Sequence, residues 1–381
     1  MAQEIVIVAI TGRALAQSAA KTGCRVRVFD AFADRDTQAA AETVCVAADG
    51  AIALDHEKLL SALSGLAETG EGRVIVPGSG FERTPQWPER LARCGTLCAN
   101  DADIVAALKE PELATELLRA LGWRVPETRR EPPADPRGWL HKEIGGAGGV
   151  HVRRAGRATA HARAYYQREM PGRPLSVTFL ADAERSWVLG FNALAVQAMG
   201  DAPFCYAGAS TCAFDPVLER EVQTRLDRLV RVTGLRGLNG LDFLLDGGEM
   251  YALEVNPRPT ATFELYDPDY AEGLVHWHIR SFAGPLGDFP ARRIRSPAHG
   301  RGCAVVYAQH AFRVPAGAEL PGWCRDLPVA GGRIQAGAPV LTVFAEARDE
   351  TRVQHLLRER QHEIRGMLQG WRVDLPQASA A

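Results

Sequence analysis

The chain has 381 residues, enough for two or three domains that each bury a core. Its 44 basic and 46 acidic residues nearly cancel, and no basic block is interleaved with aromatics, which argues against a nucleic-acid or anionic-membrane surface. No apolar run approaches the roughly 20 residues of a membrane span.

A strand is expected at residues 4–10, directly after the start, so no signal peptide is read there. The eight cysteines (24, 45, 94, 98, 205, 212, 303 and 324) mostly sit in apolar surroundings, as buried free thiols do. Cys94 and Cys98 lack a second ligand pair, which argues against zinc. Together these features suggest a cytoplasmic protein. A helix is expected over 14–21, strands over 25–30, 44–47 and 73–77, and a helix over 56–66. Strands alternating with helices indicate a small parallel α/β domain. Asp30 ends the second strand as a ribose-binding carboxylate does, but Thr11-Gly12-Arg13-Ala14 lacks the spaced glycines of a dinucleotide site. The loop Gly78 to Glu82 reads equally as a substrate contact or a plain turn.

Asp101 to Leu121 reads as two helices split near Pro111, with Lys109 between them. Residues 139–180 read as strands around a glycine-rich loop, with a helix near 158–164 and a strand over 175–181. Tyr165 to Gly172 joins these pieces. A strand over 188–196 and an amphipathic helix over 216–233 follow. Ala271 to Phe282 is helical, and its His276 and His278 point to different sides, which makes them structural. Pro285 to Pro297 is a Pro/Arg-rich linker to a last module with strands over 301–308 and 339–345 and a helix over 350–368. The tail from Gln377 to Ala381 is small and polar enough to be disordered.

Two segments carry chemistry. Only four lysines occur against forty arginines, and two of them sit in telling places. Lys142 ends a strand that runs into Gly145, Gly146, Gly148 and Gly149. Four glycines in five residues free backbone amides to fold around an anion. The loop is neither a Walker motif nor a dinucleotide fingerprint, and alone it would read equally as a flexible loop.

The stretch Gly240 to Pro259 reads as a hairpin turning at Asp246-Gly247-Gly248. With a three-residue loop, residue 245 faces 249 and Asp242 faces Ala252. Asp242 and Glu254 are then diagonal neighbours on one face, roughly 7–8 Å apart. Asn256 follows at i+2 and points the same way. Three oxygen donors without thiol or imidazole suit a hard cation, two Mg2+ ions or Mn2+ in their place. Arg258 can hold phosphate. The bland alternative, a surface hairpin with solvated acids, conflicts with Glu254 standing inside an apolar strand.

In this order the parts resemble the ATP-grasp superfamily from about residue 96 to 285. Lys109, before Leu-x3-Gly-Trp-x-Val-Pro126, resembles its first phosphate lysine, and Lys142 its second. Gln167, Arg168, Glu169 and Met170 occupy the hinge whose backbone meets adenine. Asp242, Glu254 and Asn256 match its metal triad, and Arg258 its catalytic or phosphate-holding arginine. Leu244 and Leu253 would flank the adenine ring. Pro174 replaces the glutamate that holds ribose in many members, which leaves Glu169 or Arg173 for that contact.

The resemblance implies an α/β fold (α+β in parts) with three pieces. These are an N-terminal parallel α/β domain (1–95), an ATP-grasp domain (96–285, lid 138–182) and a small β-rich C-terminal module (286–381). It implies ATP and Mg2+, small-molecule carboxylate and amine substrates, and a homodimer. The activity implied is a carboxylate–amine ligase working through an acylphosphate. Its narrowest form resembles ATP-grasp proteins of one-carbon cofactor (tetrahydromethanopterin or methanofuran) synthesis, some of which join glutamate to an amine. Biotin-carboxylase-like carboxylation and a non-catalytic ATP-binding module are the alternatives; residues 300–369 resemble the C-terminal module of the former.

Overall fold

A computed structural model of the chain describes residues 4–48, 52–64, 66, 72–156, 163–290 and 300–371. The helix expected near 158–164 falls mostly outside these residues, as do most of the linker up to Pro297 and the tail from Gln377 to Ala381. The first sheet joins β1 (Glu4–Val8), β2 (Arg25–Asp30), β3 (Glu42–Cys45), β4 (Arg73–Pro77) and β5 (Thr96–Leu97) in the order β3-β2-β1-β4-β5, all parallel. The unbroken apolar run Ile5 to Val8 is fully buried, as expected of a central strand covered on both faces. Helices α1 (Arg13–Ala20), α2 (Arg35–Ala40) and α3 (His56–Ser64) connect the strands.

Helices α4 (Ala102–Lys109) and α5 (Pro111–Ala120) break at Glu110, where Pro111 starts the second helix at the position that tolerates a missing N–H. A four-stranded lid sheet follows: β6 (Thr128–Arg129), β7 (Trp139–Glu143), β8 (Val152–Arg154) and β9 (Ala164–Arg168), ordered β6-β9-β7-β8. The expected connector over 165–172 is corrected here, because residues 165–168 are lid strand. Tyr166 is fully buried and faces His141 across the ladder, which holds the segment extended.

The main sheet runs β14-β13-β10-β11-β12-β15-β19-β17. Its strands are β10 (Arg173–Asp182), β11 (Ser186–Met199), β12 (Ala202–Cys212), β13 (Arg236–Asp246) and β14 (Glu249–Asn256), continued by β15 (Gly300–Tyr307), β17 (Cys324–Arg325) and β19 (Pro339–Ala347). Two short strands, β16 (Phe312–Arg313) and β18 (Arg333–Ile334), pair separately. β15 bonds directly to β12, so the sheet passes without a break into the last module. α7 (Leu274–Ala283) and α8 (Glu350–Gln369) complete the fold, and none of the described helices is long and apolar enough to cross a membrane.

One face of the main sheet packs on α6 (Pro216–Thr233). Val222, Leu226, Leu229 and Val230 recur at helical spacing and are buried against Val177, Phe179, Leu241 and Phe243. The Asp215 carboxylate caps the helix by accepting from Val217 and Leu218 N–H, which contributes about 1 kcal/mol. Left-handed Gly234 ends it. Leu226→Ala would cost roughly 2–5 kcal/mol.

The first sheet is held to the rest by buried charge. Arg13, 4 % exposed, donates to Glu264 beyond β14 and to Asp326 of the last module. His278 of α7 accepts Leu238 N–H on Nδ1 at 3.0 Å, and its Nε2 lies 3.0 Å from the Cys98 carbonyl. Burial lowers its pKa to about 4, so it serves as a neutral structural tie.

Candidate active site

The hairpin β13–β14 departs from the expected register in two ways. Gly247 and Gly248 both have positive φ, 55° and 86°, which permits a two-residue turn with Asp246 opposite Glu249. Further up, Phe243 pairs with Ala252 but Asp242 pairs with Glu254, so Leu253 is an unpaired bulge residue. The consequence is larger than one residue of slip. Met250 and Ala252 face the α6 core, whereas past the bulge Val255 takes the core face and Glu254 and Asn256 turn to the other. Asp242 and Glu254 are therefore direct cross-strand partners rather than diagonal ones.

On that face the polar groups interlock. Asn256 Nδ2 donates to Asp242 Oδ2 at 3.2 Å, and Lys109 Nζ donates to Asn256 Oδ1 at 3.0 Å and to Glu254. Lys109 is buried at the end of α4, where a cation also complements the helix dipole. Burial and the neighbouring Glu254 push Asp242 up to about 7, against the pull of Lys109, Arg258 and Asn256. Burial also raises Glu254, but Lys109, helped by His151 and Lys142, outweighs it and holds Glu254 below its ordinary value. Two carboxylates and an amide oxygen brought together on one face, an all-oxygen donor set, fit a hard divalent cation.

Lys142 enters from the lid. Its Nζ donates to Gln167 Oε1 at 2.6 Å, and Gln167 Nε2 donates to Thr128 Oγ1 at 3.3 Å. Burial lowers the Lys142 pKa, opposed by the negative charges of Glu254 and Asp242.

The glycine loop is pressed onto two other segments. A Cβ on Gly145 would lie 2.5 Å from the Glu82 carbonyl oxygen, and one on Gly149 would lie 1.9 Å from that of Phe204. Both residues have positive φ, so glycine is required twice over. Gly146 and Gly148 complete the loop, and Tyr206 N–H donates to the Gly148 carbonyl at 2.9 Å. Arg83–Glu143 and Arg153–Asp201 pairs hold the lid down at its flanks.

Beneath the lid is a cleft lined by Lys109, Thr128, His151, Tyr165, Leu253 and Glu254 among others. Leu253 lies in its wall. Leu244 does not; it shares the face of Asp242 and packs towards Gly172. Of the expected hinge, Gln167 lines the cleft. Arg168 lies over the Trp139 ring, and Glu169 pairs with Arg154 at 2.9 Å. The Arg168 and Glu169 amides already donate to the Glu127 and Gly138 carbonyls. Met170 is half-buried beyond them. Of the two ribose candidates, Arg173 is turned away to Glu350 of α8.

Arg258 meets a residue from the first domain. Its Nε donates to Glu82 and its Nη1 to the Pro259 carbonyl at 3.2 Å. Glu82 also accepts Gly80 N–H at 2.9 Å. Burial raises the Glu82 carboxyl, yet Arg258 and Lys109 overcome that and bring it down to about 2. The sequence pointed to the loop containing Glu82 but not to this partner. It missed His151 and Tyr165 altogether, although His151 stands two residues after the last loop glycine.

The sequence model of the ATP-grasp domain family matches residues 112–262, which take in α5, the lid sheet and the hairpin. The chain carries an ATP-grasp domain. Solved structures place that domain within a similar whole. The biotin carboxylase domain of Hydrogenobacter thermophilus 2-oxoglutarate carboxylase, in complex with MgADP, ADP and bicarbonate, superimposes with TM-score 0.73 at 12 % identity, over 98 % of this chain and 91 % of that one. The L-amino acid ligase of Bacillus licheniformis gives 0.68 at 13 %, over 95 % and 97 %. Rhizobium etli pyruvate carboxylase gives 0.71 at 14 %, with 96 % of this chain spanning 38 % of that longer one. At such identities the likeness concerns the fold. No curated protein matches the sequence itself.

Proposed function

We propose that the chain is an ATP-dependent ligase that activates a carboxylate as an acylphosphate and couples it to an amine. The observation that carries this reading is the convergence of Asp242, Glu254 and Asn256 with Lys109, Lys142 and Arg258 under a closed glycine lid in an ATP-grasp domain. Asp242, Glu254 and Asn256 would hold Mg2+, which when bound neutralises phosphate charge. Lys109, Lys142 and the loop amides bind the phosphates, and Leu253 with Gln167 contacts the adenine. Arg258 sets its charge where charge develops in the transfer and in the tetrahedral intermediate. The closed lid excludes water from the acylphosphate.

A carboxylate oxygen attacks the γ-phosphorus, and ADP leaves with the electrons of the broken P–O bond. The amine, having given one proton to solvent, attacks the acyl carbon. The C–O bond then breaks, and phosphate departs with the second amine proton. Glutamate ligation in one-carbon cofactor synthesis is the narrower form, carried by sequence resemblance alone. A homodimer accords with the dimeric biotin carboxylase domain among the similar structures.

The test is ADP release from Mg-ATP across a panel of carboxylates, glutamate included, each with and without amines. Release that needs both and drops by about 10³ in Glu254→Gln supports the ligase. Dependence on bicarbonate alone moves the reading to carboxylation, which the similarity to biotin carboxylase domains makes the second candidate. ATP binding without release would leave a non-catalytic module.

A further inference from the structure

The last module is clasped to the first domain through the start of α2. Arg35 N–H donates to the Leu327 carbonyl at 2.8 Å, while the Asp36 carboxylate accepts Asp326 N–H at 2.9 Å and Leu327 N–H at 2.8 Å. Asp326 stands at φ 55°, a left-handed conformation that its neighbours must hold in place. Arg13 secures its side chain, directing Nε to Asp326 at 2.6 Å and its other nitrogens to Gln17 and Glu264.

Inside this clasp sits a carboxyl group that nothing pairs. Asp34 is 7 % exposed, and its side chain has no hydrogen bond or ion pair among the described residues. The charges facing it are Asp30 at the end of β2, Asp36 on α2, Asp326 of the last module and Arg13 on α1. Asp30 is satisfied by the N–H groups of Gly12, Phe32 and Ala33, and Asp36 and Asp326 by the clasp itself. Arg35, next in sequence, turns its guanidinium to the Ala318 carbonyl at 3.1 Å. With no donor of its own, a buried carboxylate at this place is costly, and the group keeps its proton instead. Burial first, then Asp326, Asp30 and Asp36, push its pKa up to about 8 against the pull of Arg13.

We propose that Asp34 is a pH-sensitive latch: neutral, it lets the clasp close, and ionised, it repels Asp36 and Asp326 and loosens the last module from the first domain. An open clasp exposes Asp34 to water, where an aspartyl group ionises near pH ~4. Between that value and about 8 the closed clasp binds the extra proton, so rising pH favours opening. The latch acts whatever reaction the cleft performs.

The experiment is hydrogen exchange of the full chain, read by mass spectrometry from about pH 5 to about pH 9, with EDTA present so that no cation screens the carboxylates. The Arg35, Asp326 and Leu327 amides report the clasp, and the amides of α6 report global unfolding. After division by the intrinsic exchange rate, clasp opening should rise up to about tenfold per pH unit and level off above about pH 8. Asp34→Asn, which cannot ionise, should stay within about threefold across the range. Asp326→Asn keeps an oxygen for Arg13 but removes the charge that acts most strongly on Asp34. It should move the levelling-off about one unit lower, and it carries the test if Asp34→Asn does not fold. A wild-type clasp indifferent to pH, a slope retained in Asp34→Asn, no shift in Asp326→Asn, or clasp amides as slow as those of α6 would each overturn the latch.

Discussion

Hairpin β13–β14 ends an eight-stranded sheet whose far face is packed on α6, so each of its site residues is fixed by a buried neighbour on the opposite face. The lid sheet that meets it has four strands of two to five residues and is tied down at its rim by exposed or half-buried ion pairs. The hairpin holds charge in place through a packed core; the lid brings Lys142 and the loop amides over that charge through contacts that can be undone. Surface pairs of the lid type contribute roughly 0–1 kcal/mol each, little enough to open and close in turnover. Rigidity on one side of the cleft and reversibility on the other suit a reaction whose intermediate must be shielded and whose products must leave.

The sharpest way to break the charge array on the hairpin is Lys109→Met, which takes from Glu254 and Asn256 the ammonium they share. ADP release should fall to background and stability by up to about 3–5 kcal/mol, because a carboxylate is left without its partner; thermal unfolding and the turnover assay read both.

Arg258→Met leaves Glu82 buried and unpaired, at a cost of about 3–5 kcal/mol by denaturant unfolding. Adding Glu82→Gln should recover most of that stability while turnover stays about 10²–10³ below wild type. Recovery of activity in the double variant would contradict the role given to Arg258.

The hairpin also predicts a pH dependence. The folded pKa of Asp242, about 7, exceeds its unfolded value, so between about pH 4 and 7 the folded state binds more protons. Stability of the metal-free protein should fall as pH rises through that window, by up to about 1.4 kcal/mol per unit. Thermal melts of Asp242→Asn should lack this slope, and Mg2+ should reduce it by favouring the ionised carboxylate.

Lid variants should act more gently and mainly on closure. Gly149→Ala, which forces a Cβ into the Phe204 carbonyl, should shift closure by about 1–3 kcal/mol and lower kcat/KM for ATP roughly 10- to 100-fold. Gly148→Ala meets open space and carries only the left-handed strain of about 1 kcal/mol. Equal effects of the two substitutions would mean that the loop does not close on β12.

The same contrast explains what was legible in the sequence. Acids inside an apolar strand, two isolated lysines and a glycine run are local patterns, and they located Asp242, Glu254, Asn256, Lys109 and Lys142. The register of the hairpin was not legible, because it depends on how Gly247 and Gly248 share the turn and on a bulge at Leu253 that packing against α6 decides. β12 was missed because its small residues, Cys205, Ala207 and Gly208, lack a strong alternating pattern. Arg258 found Glu82 across 176 residues of chain, a contact that only the docking of the first sheet creates.

The most direct test of the account is oxygen transfer. The acid that supports ADP release is supplied with 18O in its carboxylate, and the released phosphate is examined by mass spectrometry. One 18O atom in each phosphate is predicted, since the acyl C–O bond breaks when the amine attacks. Unlabelled phosphate would contradict the acylphosphate and the ligase reading built on it.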